Sequence, residues 1–105
     1  MIRTVLTLNV SPALVDELVE QYRRADILQY SLDHSEAFRS ELSVALDGSG
    51  VVLVTALWPS VESYQGWLDN PWRASSSDEL RELLDGVDVG PGAIFEVRQS
   101  VEKIR

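Results

Sequence analysis

Residues 38 to 58 constrain the fold most, because they encode two strands joined by a tight turn. Mostly apolar residues recur at every second position from Phe38 to Leu46, and the run from Val51 to Trp58 is almost wholly apolar. Asp47-Gly48-Ser49-Gly50 lies between them and supplies glycines for the positive backbone angles of a hairpin. The two strands are therefore predicted to be antiparallel neighbours in one sheet.

A strand and a helix are predicted before the hairpin. One face of the first strand is apolar apart from a threonine: Ile2, Thr4, Leu6, Leu8 and Val10. Ser11-Pro12 is typical of a helix start, with a hydroxyl cap followed by proline. Apolar residues at helical spacing then predict a helix that runs to about Leu28 or a little beyond.

A helix and a strand are also predicted after the hairpin. Ser60 is a candidate cap for the second helix, which Asn70-Pro71 interrupts before a further helical segment that ends near Gly86. Val87 to Gly92 is interpreted as a loop, and Ala93 to Val101 as the last strand.

The order strand, helix, strand, strand, helix, strand predicts an α+β ferredoxin-like fold (βαββαβ) with a single domain over residues 1–105. Helices cover only one sheet face in that plan, so the other face needs a partner or a ligand. We assign five residues to the second face: Val5, Val52, Val54, Phe95 and Val97. A homodimer joined through these faces would bury them and enclose a cavity in each subunit.

The composition excludes several kinds of partner. The 17 acidic and 9 basic residues give a formal net charge of -8, which opposes binding to nucleic acid or an anionic membrane. Cysteine is absent, and the aspartates are scattered without the pairing that a metal site needs, so we expect no metal. The longest apolar runs cover only a few residues, too few to span a membrane. We therefore expect a cytoplasmic protein.

Three large aromatic residues gather where the third strand passes into a helix. Trp58 ends the strand, and Tyr64 and Trp67 follow in the helix. Each ring has a flat apolar face and one polar atom, which suits a pocket for a flat, hydrophobic aromatic ligand. The alternative is that these rings belong to the core, as strand-end aromatic residues of small domains often do.

The segment from Val51 to Tyr64 resembles the antibiotic biosynthesis monooxygenase family of dimeric α/β barrels. The signature of that family is a third strand ending in a tryptophan, a short polar turn and a helix bearing aromatic residues. The resemblance covers the whole chain and implies a homodimeric oxidoreductase of antibiotic biosynthesis. It is greatest to the anthrone monooxygenases, which use no cofactor and form quinones from aromatic polyketides.

The resemblance also implies catalytic residues. The cavity tryptophan and tyrosine of the anthrone monooxygenases correspond to Trp58 and Tyr64, which would position substrate rings. Their helical arginine corresponds to Arg81, which would hold the substrate anion. The alternative for Arg81 is a solvated helix residue paired with Glu82 or Asp85.

Several positions depart from relatives with known chemistry, among them Ser43 and Val44, near which the anthrone monooxygenases have a tyrosine and a histidine. Val54 stands where the anthrone monooxygenases have an asparagine that is proposed to assist oxygen activation. Ser77 lies near the position of the iron-binding histidine of the heme-degrading members, so heme is not expected and we predict no cofactor.

Four further residues are candidate substrate contacts: Asn9, Trp67, Trp72 and His34. Asn9 lies on the mixed face of the first strand, where an amide can orient a carbonyl or oxygen if that face lines the cavity. Trp72 follows Pro71 and is a candidate lid residue. His34 is the only histidine, and the alternative is that it is simply exposed in a polar loop.

These observations favour a cofactor-independent monooxygenase that oxidises an aromatic polyketide or a similar phenolic precursor of a quinone. Two alternatives remain open. One is a protein of the same fold that binds a small molecule or assists assembly without catalysis, which Val54 favours. The other is a cyclase or isomerase that uses the same cavity with only an acid or base.

Overall fold

A single antiparallel sheet organises the protein, and our computed structural model describes residues 1–69, 87–89 and 92–103. Its strands are β1 (Ile2–Asn9), β2 (Arg39–Val44), β3 (Val51–Trp58), β4 (Asp88–Val89) and β5 (Ala93–Glu96). The spatial order is β2, β3, β1, with β4 and β5 both paired antiparallel to β1 at the far edge. This is the strand order of a ferredoxin-like sheet, with the predicted hairpin joining β2 and β3.

The far edge differs from the predicted loop and single strand. Residues 88 and 89 pair with the end of β1, so part of the predicted loop is a strand. The step from Val89 to Ala93 covers four residues, whereas their partners Leu8 and Val5 are three apart, so the register shifts by one residue between β4 and β5.

The last strand is shorter than predicted. β5 ends at Glu96, which pairs with Ile2, and the amide of Val97 then donates a last hydrogen bond to the carbonyl of Met1 at 3.1 Å. The alternating sequence pattern continues to Val101, but β1 begins at Ile2 and has no further residues with which β5 could pair.

Three helices are described: α1 (Val15–Arg24), α2 (Ile27–Asp33) and α3 (Val61–Leu68). The predicted first helix is therefore divided, after a short 3-10 turn at Pro12–Leu14. The break lies at Asp26, whose backbone is left-handed with φ 52° and ψ 39°. A short polar side chain tolerates that conformation better than a bulky one. The change of direction lets Ile27 pack against the core.

The core lies between α1 and one face of the sheet, here called the covered face. Its buried members are Leu8, Val10, Val15, Leu18 and Val52. Ile2, Thr4 and Leu6 share this face on β1, because alternate residues of a strand point the same way. The apolar alternation of β1 is thus confirmed as the core-facing pattern.

The opposite surface of the sheet, here called the open face, carries the odd-numbered residues of β1 and β3. Val52 and Val54 were assigned to it wrongly: they pair with Leu8 and Leu6, and directly paired residues share a face. The apolar members of the open face on these strands are Val5, Val51, Leu53 and Leu57. Phe95 pairs with Arg3 on this face and is 54% exposed.

The α+β ferredoxin-like fold is confirmed by this topology. The described residues reproduce strand, helix, strand, strand, helix, strand, and the second half of the predicted helical region, residues 70–86, lies outside them. None of the described helices combines the length and apolar character needed to cross a membrane.

Candidate functional site

Trp58 is the most buried aromatic residue that the structure describes. It ends β3 opposite Ile2 and projects from the covered face with only 3% of its surface exposed. Its indole N–H donates to the hydroxyl of Thr4 at 3.0 Å, and Thr4 is itself buried. Because an indole has one donor, this hydrogen bond fixes the ring and leaves its aromatic surface as the part suited to packing against a neighbour.

Ser60 sets the start of α3 and thereby the position of Tyr64. The backbone N–H of Ser63 donates to the Ser60 hydroxyl at 3.2 Å, so the predicted cap is confirmed. The hydroxyl oxygens of Ser60 and Ser63 lie 3.0 Å apart and form a second hydrogen bond across the first turn of α3. Tyr64 is the fourth residue after the cap and therefore faces back towards the end of β3.

Tyr64 packs against Trp58. Their ring centroids are 5.3 Å apart, with the planes tilted by 58°. This geometry lies between stacked and edge-to-face packing, and such pairs contribute about 0.5–1.5 kcal/mol beyond their buried area. The structure therefore brings together the two aromatic residues for which the sequence predicts catalytic roles.

The hydroxyl of Tyr64 reaches towards the start of β5. A methyl-sized side chain at Gly92 would lie 3.5 Å from that hydroxyl oxygen. Tyr64 is half-buried, so the ring bridges Trp58 and the more open region beside Gly92. Trp67 follows three residues later on the same side of α3 and is also half-buried. We call Trp58, Tyr64 and Thr4 the aromatic cluster.

Val54 lies on the same face as Trp58, four residues earlier on β3. It pairs with Leu6 and packs against the apolar core. The position that carries an asparagine in the anthrone monooxygenases is therefore occupied here by a core side chain without a polar atom. Trp58 ends β3 on the covered face, while Val54 contributes only apolar surface to that face.

His34 caps the end of α2. Its Nδ1 lies 2.9 Å from the carbonyl of Tyr30, and the two rings are 4.2 Å apart at centroid. A carbonyl oxygen only accepts, so Nδ1 is the donor in this hydrogen bond. The chain after His34 enters β2 beside Leu57, where the amide of Phe38 donates to the Leu57 carbonyl. His34 is half-buried rather than simply exposed.

The structure does not bring Asn9 to the aromatic cluster. Asn9 is the last residue of β1, paired with Val51, and its side chain belongs to the open face. Trp58 pairs with Ile2 at the opposite end of the same strand. A separation of seven residues along a strand is about 23 Å. Arg81 and Trp72 lie outside the described residues.

A concave region lies between α1, α2 and β2, away from the aromatic cluster. It is an open cleft of about 330 Å³, at the lower end of the range for small-molecule sites. Val19, Leu28 and Leu42 form apolar walls, while Arg23 and Asp26 line its polar side. The cleft depends on the break at Asp26, because a straight helix would not turn Leu28 towards β2.

Tyr22 also lines this cleft and was not singled out from the sequence as a site residue. Burial raises the pKa of its hydroxyl above the ordinary value of 10.0, because the phenolate loses solvation. The helical spacing of Tyr22 with Leu18 in the sequence indicates that Tyr22 is buried, but the spacing does not indicate a cleft beside Tyr22. The side chain offers a neutral hydroxyl at the border of an apolar surface.

Comparison with known proteins yields structural likeness without a sequence match. No protein-family model matches the chain, and no curated protein matches it. A candidate antibiotic biosynthesis monooxygenase from Deinococcus radiodurans is similar with a TM-score of 0.73, 20% identity and 100% of both chains covered. A single-residue mutant of SnoaB, a cofactor-independent oxygenase from Streptomyces nogalater, has a TM-score of 0.71 at 18% identity over 97% of both chains.

A third similar structure is the heme-degrader MhuD from Mycobacterium tuberculosis, solved with two hemes in its active site. Its TM-score is 0.72 at 19% identity, covering 97% of this chain and 100% of that one. The chain therefore has the fold of the antibiotic biosynthesis monooxygenases, as its sequence resemblance implied.

Proposed function

We propose that this protein is a cofactor-independent monooxygenase that oxidises a flat phenolic or anthrone-type aromatic compound to a quinone. The observation that carries the proposal is the Trp58–Tyr64 pair, held on the covered face by Thr4 and Ser60. Further support comes from the likeness to SnoaB, which is described as a cofactor-independent oxygenase.

The reaction needs no redox group from the protein. An anthrone methylene reacts with dioxygen to give a quinone carbonyl and water: both hydrogens leave with one oxygen atom, and the other oxygen stays on carbon. The substrate supplies the electrons, so the protein must accept a proton, stabilise the resulting anion and exclude water.

Residues are proposed for positioning the substrate and for stabilising its anion. The Tyr64 ring, supported from behind by the buried Trp58 ring, positions the substrate ring, and the Tyr64 hydroxyl donates to the substrate oxygen near Gly92. Arg81 stabilises the anion, a role assigned from the sequence resemblance alone. Trp67, His34 and Trp72 are proposed substrate contacts on sequence grounds.

A homodimer is part of the same proposal. Val5, Leu53 and Leu57 form an apolar strip across the open face, which Phe95 extends at the edge. Burying this strip against a second copy stabilises the dimer by about 25 cal/mol of free energy for each Å² of apolar surface removed from water. The resulting pair would form a dimeric α/β barrel with the helices outside.

Oxygen uptake tests the monooxygenase proposal. We would incubate the protein with an anthrone under air and under nitrogen, and follow oxygen consumption and quinone absorbance. Tyr64→Phe, Trp58→Phe and Arg81→Gln should each reduce quinone formation by about tenfold or more, which corresponds to about 1.4 kcal/mol in the barrier. Tyr22→Phe and Arg24→Gln are matched controls on α1, outside the aromatic cluster, and should keep full activity.

A second candidate function is small-molecule binding without oxygen chemistry. Val54 favours it, because the covered face beside Trp58 has no polar group at that position. Saturable quenching of tryptophan fluorescence by the anthrone, with no oxygen uptake above the buffer rate, would support binding and contradict the monooxygenase. A product that forms equally under nitrogen would instead indicate a cyclase or isomerase.

A further inference from the structure

The hydroxyl of Tyr64 is a polar group at the border of the apolar covered face. Among the described residues no group forms a hydrogen bond with this hydroxyl. Because no buried side-chain oxygen or nitrogen of those residues lacks a partner, the hydroxyl oxygen is accessible to solvent. One side of the ring packs against Trp58, with the ring centroids 5.3 Å apart. The hydroxyl is therefore the part of Tyr64 that is left to bind a ligand, as a donor or an acceptor.

Gly92 lies beside this hydroxyl at the start of β5. A Cβ atom at this position would lie 3.5 Å from the hydroxyl oxygen of Tyr64, and within 4 Å it would meet no other described atom outside its chain neighbours. Gly92 is exposed, and its backbone is not left-handed, unlike that of Gly48 and Gly50. The backbone conformation therefore does not require glycine at this position. The missing side chain instead leaves space next to the hydroxyl.

Apolar surface continues from Gly92 along the covered face. Ile94 pairs with Thr4, and directly paired residues share a face, so Ile94 lies on the face that holds Trp58. Thr4 is buried, whereas 46% of the surface of Ile94 is exposed. An exposed apolar side chain close to an accessible hydroxyl is the combination that suits a flat apolar ring bearing one oxygen atom.

A ligand oxygen needs the space that Gly92 leaves. A hydrogen bond between a hydroxyl and another oxygen joins atoms about 2.7–2.8 Å apart. A methyl group at residue 92 would stand 3.5 Å from the Tyr64 oxygen on its open side. Because non-bonded heavy atoms keep about 3.5 Å apart, a ligand oxygen that approaches from this side would overlap with the methyl group.

We propose that Gly92 is a specificity-determining residue of the candidate site. Because it has no side chain, an oxygen atom at the edge of an aromatic ligand reaches the Tyr64 hydroxyl and accepts a hydrogen bond from it. The ligands selected in this way are flat aromatic ketones and phenols, and their oxygen-free counterparts are disfavoured. This inference rests on the proposed function for the class of substrate, and it adds the residue that selects the oxygen-bearing edge.

Two ligands that differ in their oxygen test the inference by binding under nitrogen, where the substrate is not oxidised. Anthrone carries a ring ketone, and anthracene has the same three fused rings without oxygen. Wild type should bind anthrone about fivefold more tightly than anthracene, which corresponds to about 1 kcal/mol for one hydrogen bond between neutral groups. Gly92→Ala should remove this preference and keep the affinity for anthracene within about twofold of wild type. Quenching of tryptophan fluorescence measures both dissociation constants.

Gly66→Ala is the matched control. Gly66 is also exposed, and a Cβ atom there would meet no atom within 4 Å, so this variant should keep the preference for anthrone. Tyr64→Phe removes the hydroxyl and should abolish the preference by itself. Adding Gly92→Ala to Tyr64→Phe should then change the preference no further, because the two substitutions remove the same hydrogen bond.

The binding preference separates this inference from the oxygen chemistry. Equal binding of the two ligands by wild type would overturn the inference, and so would a Gly92→Ala variant that still prefers anthrone. A variant that loses both ligands equally would also overturn it, since the methyl group would then obstruct the whole pocket. Failure of the proposed monooxygenase would instead be a normal preference for anthrone with no oxygen uptake under air.

Discussion

The covered and open faces of the sheet are built from the same strands and differ only by one position along each. Leu8 and Val52 on the covered face are fully buried beneath α1, whereas Phe95 on the open face is 54% exposed. The covered face also holds the Trp58–Thr4 hydrogen bond, and a polar contact at such a site stabilises a single ring position. The comparison teaches that the chain buries one face of its sheet by itself and leaves apolar side chains of the other face exposed.

The largest expected difference between the faces is in the cost of truncating a side chain. Leu8→Ala removes a fully buried side chain and should lower the free energy of unfolding by about 2–5 kcal/mol. Val5→Ala, three residues away on the open face, should cost about 1 kcal/mol or less in the protomer. Urea denaturation of both variants at low protein concentration measures this, and equal losses would contradict the division into two faces.

A smaller effect is expected from the hydrogen bond on the covered face. Thr4→Val keeps the shape of the side chain but leaves the buried Trp58 N–H without its acceptor, so stability should fall by about 1–3 kcal/mol. Thr55→Val on the open face is the matched control and should change stability by no more than about 0.5 kcal/mol. Chemical unfolding gives both values, and the near-ultraviolet circular dichroism of Trp58 should change only in the first variant.

The cap of α3 tests how the covered face holds its aromatic cluster. Ser60→Ala removes the acceptor for the Ser63 amide and should cost about 1 kcal/mol, because the first turn of α3 loses its cap. Ser60→Asp preserves an acceptor and should remain near wild type. Thermal denaturation compares them; if both variants behave alike, the cap does not stabilise the position of Tyr64.

The smallest effect concerns alkaline pH. Burial raises the pKa of Tyr22 in the folded protein above the ordinary value of 10.0. The free energy of unfolding is therefore unaffected by this group at pH values below 10.0, and it decreases as the pH rises through the folded pKa. Wild type should therefore lose more stability than Tyr22→Phe between about pH 9 and 11. Unfolding midpoints across that range measure the difference, and parallel curves would show that Tyr22 is solvated when folded.

Much of the fold follows from local sequence patterns. The glycine-containing turn between β2 and β3 and the apolar alternation of β1 predict the hairpin and the core-facing strand, and Ser60 predicts the start of α3. The spacing between Trp58 and Tyr64 also predicts their meeting, because a cap two residues after a strand fixes the direction of the next helix.

Other features depend on partners distant in the sequence. The faces of Val52 and Val54 follow from their register with Leu8 and Leu6, and strand alternation alone does not say which side the helices cover. No glycine or proline marks the helix break at Asp26 in the sequence. The break could not be predicted, because an aspartate adopts the left-handed conformation only where the packing on both sides of it favours the turn.

By itself the sequence determined the α+β class, the hairpin, the capped helix after the hairpin and the aromatic residues at the strand end. These depend on periodicity, turn residues and caps, which act over a few neighbouring positions. Only the tertiary structure decided that Thr4 holds the Trp58 indole, that Asn9 faces away from the cluster, and that β5 stops at Glu96. The physical reason is that register, burial and strand length are set by partner segments that are distant along the chain.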